Sequence, residues 1–328
     1  MSEAPPLFTL QEYRERITRL QNGMKAAQMD GLLLTTPADV FYVTGFLTRF
    51  WESPARPWFI LVPASGDPIA IIPSIGAELM GQSWLTDIRT WDAPDPMDDG
   101  VSLLADAIVE TVPTNGSLGT PMGLETHLRM PLADYDRVTN RIKPRRIIDA
   151  TGPVQRVREI KPEAEITKIK ATCEIADRVF VRVPEFASTG LPLDQVFRDF
   201  QVALLQEGAD WVSYVAGGAG QGGYGDVISP ATAQPLAKGD VLMLDTGAVK
   251  DGYFCDFDRN YSVGPPSAAV ERAQDALFVA TELVLETLRP GMTSADLYGI
   301  MTNALRDAGA TAGSGRFGHG LGITLTEW

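Results

Sequence analysis

The chain is predicted to fold as a two-domain α/β (α+β) protein, with a helix-covered sheet over residues 1–152 and a second domain over residues 153–328. Three observations lead there. The first 150 residues alternate between stretches of helical period and short apolar runs of strand length. A charged break, "VREIKPEAEITKIK", starts a long helix near Pro162. Later, two runs of β-forming residues flank Asp251-Gly252, a strong signal for a two-residue hairpin turn.

Taken in order, residues 10–29 place Tyr13, Ile17, Leu20 and Met24 on one helical stripe that ends near Asp30-Gly31. "GLLLTT" follows as a short buried strand, and "VFYVTGF" reads as a second. "WFILVP" and "PIAIIPS" read as two strands joined by the turn "ASGD". "MDDGVSLLADAIVETV" is helical, and "SLGT" with "MGLE" reads as a further strand. Beyond Pro162 come the long helix and a second one, "LDQVFRDFQVALLQEG". The glycine-rich "VAGGAGQGGYGD" is expected as a loop that lets backbone pass close to a pocket. It lacks the Lys-Ser/Thr of a phosphate-binding loop. A strand pair over residues 240–263 and two more helices complete the order.

Lysine and arginine number 28 against 42 acidic residues, a formal net charge of -14. That balance argues against nucleic acid or an anionic membrane as partner, since both demand a basic patch. Cys173 and Cys255 stand far apart without a C-x-x-C spacing, which suits a reducing, cytoplasmic setting and no thiolate zinc site. No apolar run approaches the roughly 18 residues of a membrane span, and the N-terminus has no signal-peptide pattern.

The chemistry concentrates in "GDVLMLDTGAVKDGYFCDFDRNYSVG". If Asp251-Gly252 is a two-residue turn, counting outward sets Lys250 opposite Tyr253, Ala248 opposite Cys255, Gly247 opposite Asp256 and Asp245 opposite Asp258. Side chains alternate along a strand, so Asp245, Gly247, Asp256 and Asp258 share a face. Three carboxylates crowded there repel one another. A divalent cation resolves the repulsion; pairing of Asp258 with Arg259 is the competing account. His319, set among Gly318, Gly320 and Gly322, supplies the nitrogen that such sites commonly add. His127 has no such setting and is expected to be structural.

These motifs resemble the pita-bread superfamily of creatinase, prolidase, aminopeptidase P and methionine aminopeptidase. "GDVLMLDTGAVKDGYFCDFDR" is similar to its metal hairpin, and "GHGLG" to its metal-histidine motif. Residues 13–46 look like its creatinase-type N-terminal domain. The resemblance implies two divalent metal ions (Mn, Fe, Co or Zn), with Asp245 and Asp256 bridging or chelating them and His319 binding one. It implies hydrolysis of an Xaa-Pro peptide or a small amide by a metal-activated water, on a short-peptide or small-molecule substrate, in a homodimer. Asp258 stands where the family has threonine and is the candidate catalytic base; Tyr224 and Tyr253 are candidate substrate contacts. Two family histidines are absent, one before the hairpin and one at Thr326. These departures keep open a non-peptidase relative such as dimethylsulfoniopropionate lyase, ectoine hydrolase or a creatinase-like amidinohydrolase, or a metal-free binding module. The family's two downstream glutamates lie beyond Trp328, so a longer protein, truncated at its C-terminus here, is expected, with the pita-bread domain incomplete.

Overall fold

Thr9 opens the first helix, α1 (Leu10–Ala26), with a capping box in which its side chain accepts from the Glu12 amide and Glu12 bonds back. Tyr13, Ile17, Leu20 and Met24 are buried on one stripe, as the periodicity requires. The computed structural model describes residues 7–51, 56–310, 313 and 315–328. They divide into two compact units, Met1–Ile166 and Thr167–Trp328.

Residues 40–46, expected as a strand, instead belong largely to helix α2 (Pro37–Thr44). Its N-cap Thr36 accepts from the Asp39 amide, Pro37 sits in the first turn, and Gly45 closes it in the left-handed conformation. Ala38 through Thr44 are all buried. A helix covered on every side shows no single apolar stripe, and its β-branched residues read as strand.

The first unit holds β1 (Gly31–Leu34), β2 (Phe59–Pro63), β3 (Ile69–Pro73), β4 (Asp87–Trp91), β5 (Ser117–Thr120) and β6 (Arg146–Asp149), in the spatial order β4-β3-β2-β1-β5-β6. β1 pairs antiparallel with β2, Leu32 opposite Val62, and parallel with β5. Helices α3 (Ala77–Met80), α4 (Val101–Thr111), α5 (Leu132–Arg141) and α6 (Thr151–Glu159) complete the unit. Phe59, Leu61 and Ile71 of the sheet pack on Leu104 and Ile108 of α4. Residues 122–125 do not extend β5.

Two buried cations hold this unit together. Arg158 of α6 bonds Asp39 of α2 at 2.9 Å, with both side chains no more than 6% exposed. Arg16 pairs with Glu165 at 3.4 Å, donates to the Tyr42 carbonyl and lies 4.0 Å from the Phe8 ring centroid.

The second unit takes in most of α7 (Glu163–Phe186), then α8 (Leu193–Gln206), β7 (Trp211–Gln221), β8 (Asp240–Lys250), β9 (Tyr253–Phe254), β10 (Phe257–Ser262), α9 (Ala268–Thr287) and α10 (Ser294–Asp307). β8 is central, between β7 on one side and β9 and β10 on the other. Leu242, Leu244, Ala248 and Cys255 form a core with Val179, Phe180 and Val183 of α7 and Phe200 of α8. The glycine-rich stretch expected as a loop is strand as far as Gln221. Gly217 is needed there, because a Cβ would lie 2.1 Å from the Met243 carbonyl oxygen. Among the described residues, no helix is long and apolar enough to cross a membrane.

Replacing Arg158 by methionine leaves Asp39 buried without its cation. The expected loss is about 3–5 kcal/mol, read as a lower urea midpoint, whereas replacing both partners by apolar residues costs far less.

Candidate metal centre

Asp251 and Gly252 take positive φ angles of 53° and 80°, as a tight two-residue hairpin turn requires. Counting outward, Lys250 pairs with Tyr253, Thr246 with Phe257 and Asp245 with Asp258. The Cys255 amide donates to the Ala248 carbonyl at 2.9 Å, so the register holds between β9 and β10. This is the register that the sequence count predicts. Asp245, Gly247, Asp256 and Asp258 therefore share one face, while Ala248 and Cys255 lie on the face packed against α7 and α8. Tyr253 lies on that second face too. It is fully buried, and its carbonyl accepts from Thr172 of α7 at 3.3 Å. Alternation thus puts Tyr253 away from the carboxylates, and its full burial does not suit the substrate contact expected of it.

A tyrosine that sequence reasoning missed stands among the carboxylates. Val212 pairs with Ala248 but Val215 with Thr246, so Ser213 and Tyr214 together oppose Gly247 in a β-bulge. The bulge seats the Tyr214 ring directly over Gly247, where a Cβ would lie 2.4 Å from ring carbon Cε1. Its hydroxyl donates to Asp256 Oδ1 at 2.6 Å and reaches Asp245 Oδ1 at 3.1 Å. The space beside Gly247, on the face shared with the carboxylates, is filled by this ring. The available signal was a glycine in the middle of a buried strand, which marks close approach by another group.

His319 reaches the same pair. Its Nε2 lies 2.9 Å from Asp256 Oδ2, and its Nδ1 lies 2.9 Å from the Gly320 carbonyl oxygen. A carbonyl and a carboxylate only accept, so each contact as drawn uses a proton on its ring nitrogen; a bound metal ion would take the place of the proton on Nε2, while Nδ1 keeps its bond to the carbonyl. The segment is tied to the hairpin, since the Phe254 amide donates to the Gly322 carbonyl at 2.9 Å. Buried Glu327 closes the turn by accepting from the amides of Ile323 and Thr324 at 3.0 and 3.2 Å. Gly320 and Gly322 have no room for a side chain, with a Cβ falling 2.6 Å from the Trp328 carbonyl oxygen and 2.7 Å from the Glu327 carboxylate respectively.

Tyr224 is 38% exposed and donates to Asn260 Oδ1 at 2.8 Å. The pair lines a cavity of about 480 Å³ with Gly222, Val241 and Ser262. Asp258 is solvent-accessible, and among the described residues its carboxylate has no hydrogen bond or ion pair. Arg259 does not cover it: the guanidinium lies over Phe257, 4.8 Å from the ring centroid, and faces Asp177 at 3.9 Å.

The electrostatics match the crowding. Burial, then the charge of Asp256, pushes the Asp245 carboxyl up to about 6 against the opposing bond from Tyr214. Partial desolvation also raises Asp258, with Arg259 lowering it and Asp256 raising it further. Burial and the bond to Asp256 hold the Tyr214 phenol far above its ordinary value. Two carboxylates and an imidazole are oxygen and nitrogen donors of the kind that suit Mn, Fe, Co or Zn. Among the described residues, no three His, Cys, Asp or Glu side chains are gathered closely enough to hold a metal ion as they stand. Tyr214 and His319 instead engage the two oxygens of Asp256.

The chain is similar to known proteins over nearly all of its length. The model of metallopeptidase family M24 matches residues 167–328, and that of the creatinase/prolidase N-terminal domain matches residues 16–160. A probable dipeptidase PepE of Mycobacterium tuberculosis is 28% identical, aligned over 98% of this chain and 82% of its own length. A Xaa-Pro dipeptidase of Lactobacillus delbrueckii subsp. lactis is 24% identical over 95% of this chain and 83% of its own. The crystal structure of dipeptidase PepE from Mycobacterium ulcerans superposes with a TM-score of 0.80 at 26% identity, covering 98% of this chain and 83% of that one. With both family models matched in order and the carboxylate–histidine face in place, the chain belongs to the pita-bread metallopeptidases of family M24, carrying a creatinase/prolidase-type N-terminal domain.

Proposed function

We propose that this metallohydrolase is a dipeptidase acting on Xaa-Pro dipeptides. The observation that carries the reading is the meeting of Asp245, Asp256 and His319 at one partly buried sheet face, from segments some seventy residues apart. The names of the dipeptidase and Xaa-Pro dipeptidase relatives support the substrate class.

Asp245, Asp256 and His319 are the residues that would hold divalent metal, two ions of Mn, Fe, Co or Zn. Such ions supply a water whose pKa falls to near 7, a nucleophile at neutral pH. His319 keeps Nε2 toward the site by holding its Nδ1 proton on the Gly320 carbonyl. Asp258, unpaired and raised from its ordinary value, is the carboxylate placed to take up a proton on the same face. Tyr224 and Asn260, two residues beyond Asp258 along β10, form a polar wall for the substrate. The same reading includes a homodimer and, with two unpaired thiols, a reducing cytoplasmic setting. One observation favours a second reading, a small C–N substrate other than a dipeptide: the chain's other histidine, His127, lies in the first unit, so none stands near His319 in sequence to polarise a carbonyl.

Turnover of Ala-Pro, Ala-Ala, creatine and ectoine with added Mn2+ tests the substrate class. Selective hydrolysis of Ala-Pro is expected, and turnover of creatine or ectoine alone would replace the dipeptide reading by the second. Asp256→Ala removes a ligand and the anchor of both Tyr214 and His319. Its Mn2+ affinity, by calorimetry, is expected to fall at least about 100-fold, the upper range for losing an outer-shell partner alone.

A pH dependence follows for protein kept metal-free with chelator. The folded Asp245 carboxyl sits at about 6, above the ~3.9 of an unfolded aspartate. Between those values the folded state binds more protons, so this contribution is fully present below ~3.9 and is lost as pH rises through about 6. The stability difference between wild type and Asp245→Asn, followed by thermal melts from pH 4 to 7.5, is expected to shift against the wild type as pH rises.

A further inference from the structure

We infer that Tyr214 is a positioning residue for the metal centre, whose phenol couples Asp245 to Asp256 and sets the two carboxylates as a pair for cation binding. The inference rests on the metal-centre reading above and goes beyond it, because Tyr214 is not itself one of the ligands.

Four features place the phenol with little freedom. The extra residue in β7 puts Tyr214 opposite Gly247 instead of in regular alternation. Gly247 leaves the ring one seat, since any side chain there would overlap ring carbons Cε1 and Cδ1, at 2.4 and 2.7 Å. The backbone of the bulge is pinned by Thr246, whose hydroxyl donates to the Tyr214 carbonyl at 3.2 Å. The hydroxyl then meets the Oδ1 atom of both aspartates, while His319 takes Oδ2 of Asp256. Each oxygen of Asp256 thus has its own partner, and its carboxylate plane is held from both sides.

Two carboxylates on adjacent strands repel, and without a shared donor their side chains would swing apart. A neutral phenol between them offsets that repulsion without adding a charge that competes with a cation. Groups that orient metal ligands in this way commonly matter for affinity about as much as 10–100-fold on removal. The opposing account treats the phenol as an obstruction that a metal must displace. The two accounts predict opposite signs.

Tyr214→Phe separates them, because it keeps the ring on Gly247 and removes only the hydroxyl. Mn2+ affinity of the full chain is measured by calorimetry, with circular dichroism and the metal-free melting temperature reporting the fold. A dissociation constant raised about 10–100-fold is expected for Tyr214→Phe with its fold intact. Gly247→Ala, which pushes the ring away while keeping the hydroxyl, is expected to weaken Mn2+ binding in the same direction. Tyr214→Phe binding Mn2+ as tightly as the wild type, or more tightly, overturns the inference and leaves the metal centre standing. Asp256→Asn binding like the wild type overturns the metal-centre reading and the inference with it.

Discussion

The register of the hairpin between β8 and β10 governs everything else at the candidate site, and a two-residue turn sets it. With Asp251 and Gly252 both at positive φ, the strands leave the turn in one alignment. A slip of one residue would send Asp256 toward the core of α7 and α8 and bring Cys255 out to the carboxylate face. That core contains Leu242, Leu244, Ala248 and Cys255, so its burial opposes the slip more strongly than carboxylate repulsion favours it. The Cys255 thiol, pushed up to about 12 chiefly by burial, is an inert packing group on the far side of the strand from the site. Apolar packing on one face thereby enforces charge crowding on the other.

Close backbone approaches then arrange the groups around that face. Gly247 admits the Tyr214 ring, Gly217 lets β7 pass the Met243 carbonyl, and Gly320 and Gly322 let the final turn fold over Glu327. The bond from the Phe254 amide to Gly322 carries His319 back to a hairpin it follows by some seventy residues. In each case missing side-chain volume is what allows polar atoms to converge. The site is built as much from those absences as from its aspartates and histidine.

The hairpin could be read from sequence because its information is local: a turn dipeptide, a period of two, and a count outward. His319 was legible through its flanking glycines for a similar reason. Tyr214 was not, because a β-bulge shifts the period by one and no local pattern marks the extra residue. Its clue, Gly247, sits on a different strand from the residue it accommodates. Helix α2 was hidden by complete burial, which erased the one-sided stripe by which a surface helix is recognised, although Thr36, Pro37 and Gly45 were its caps in plain view. Tyr253 was misplaced because a tyrosine beside a charged turn looks available until alternation is followed one residue further. Buried Arg16 and Arg158 were equally silent, since their partners Glu165 and Asp39 are more than a hundred residues away in sequence.

The central claim is that the face carrying Asp245, Asp256 and His319 holds divalent metal. Crystals soaked in Mn2+ and measured at the manganese absorption edge test it most directly. Anomalous peaks within ligand distance of Asp245 and Asp256, with His319 Nε2 turned to one of them, are the predicted result. An ordered site with no anomalous peak on that face, or with manganese bound only elsewhere on the chain, would contradict the account.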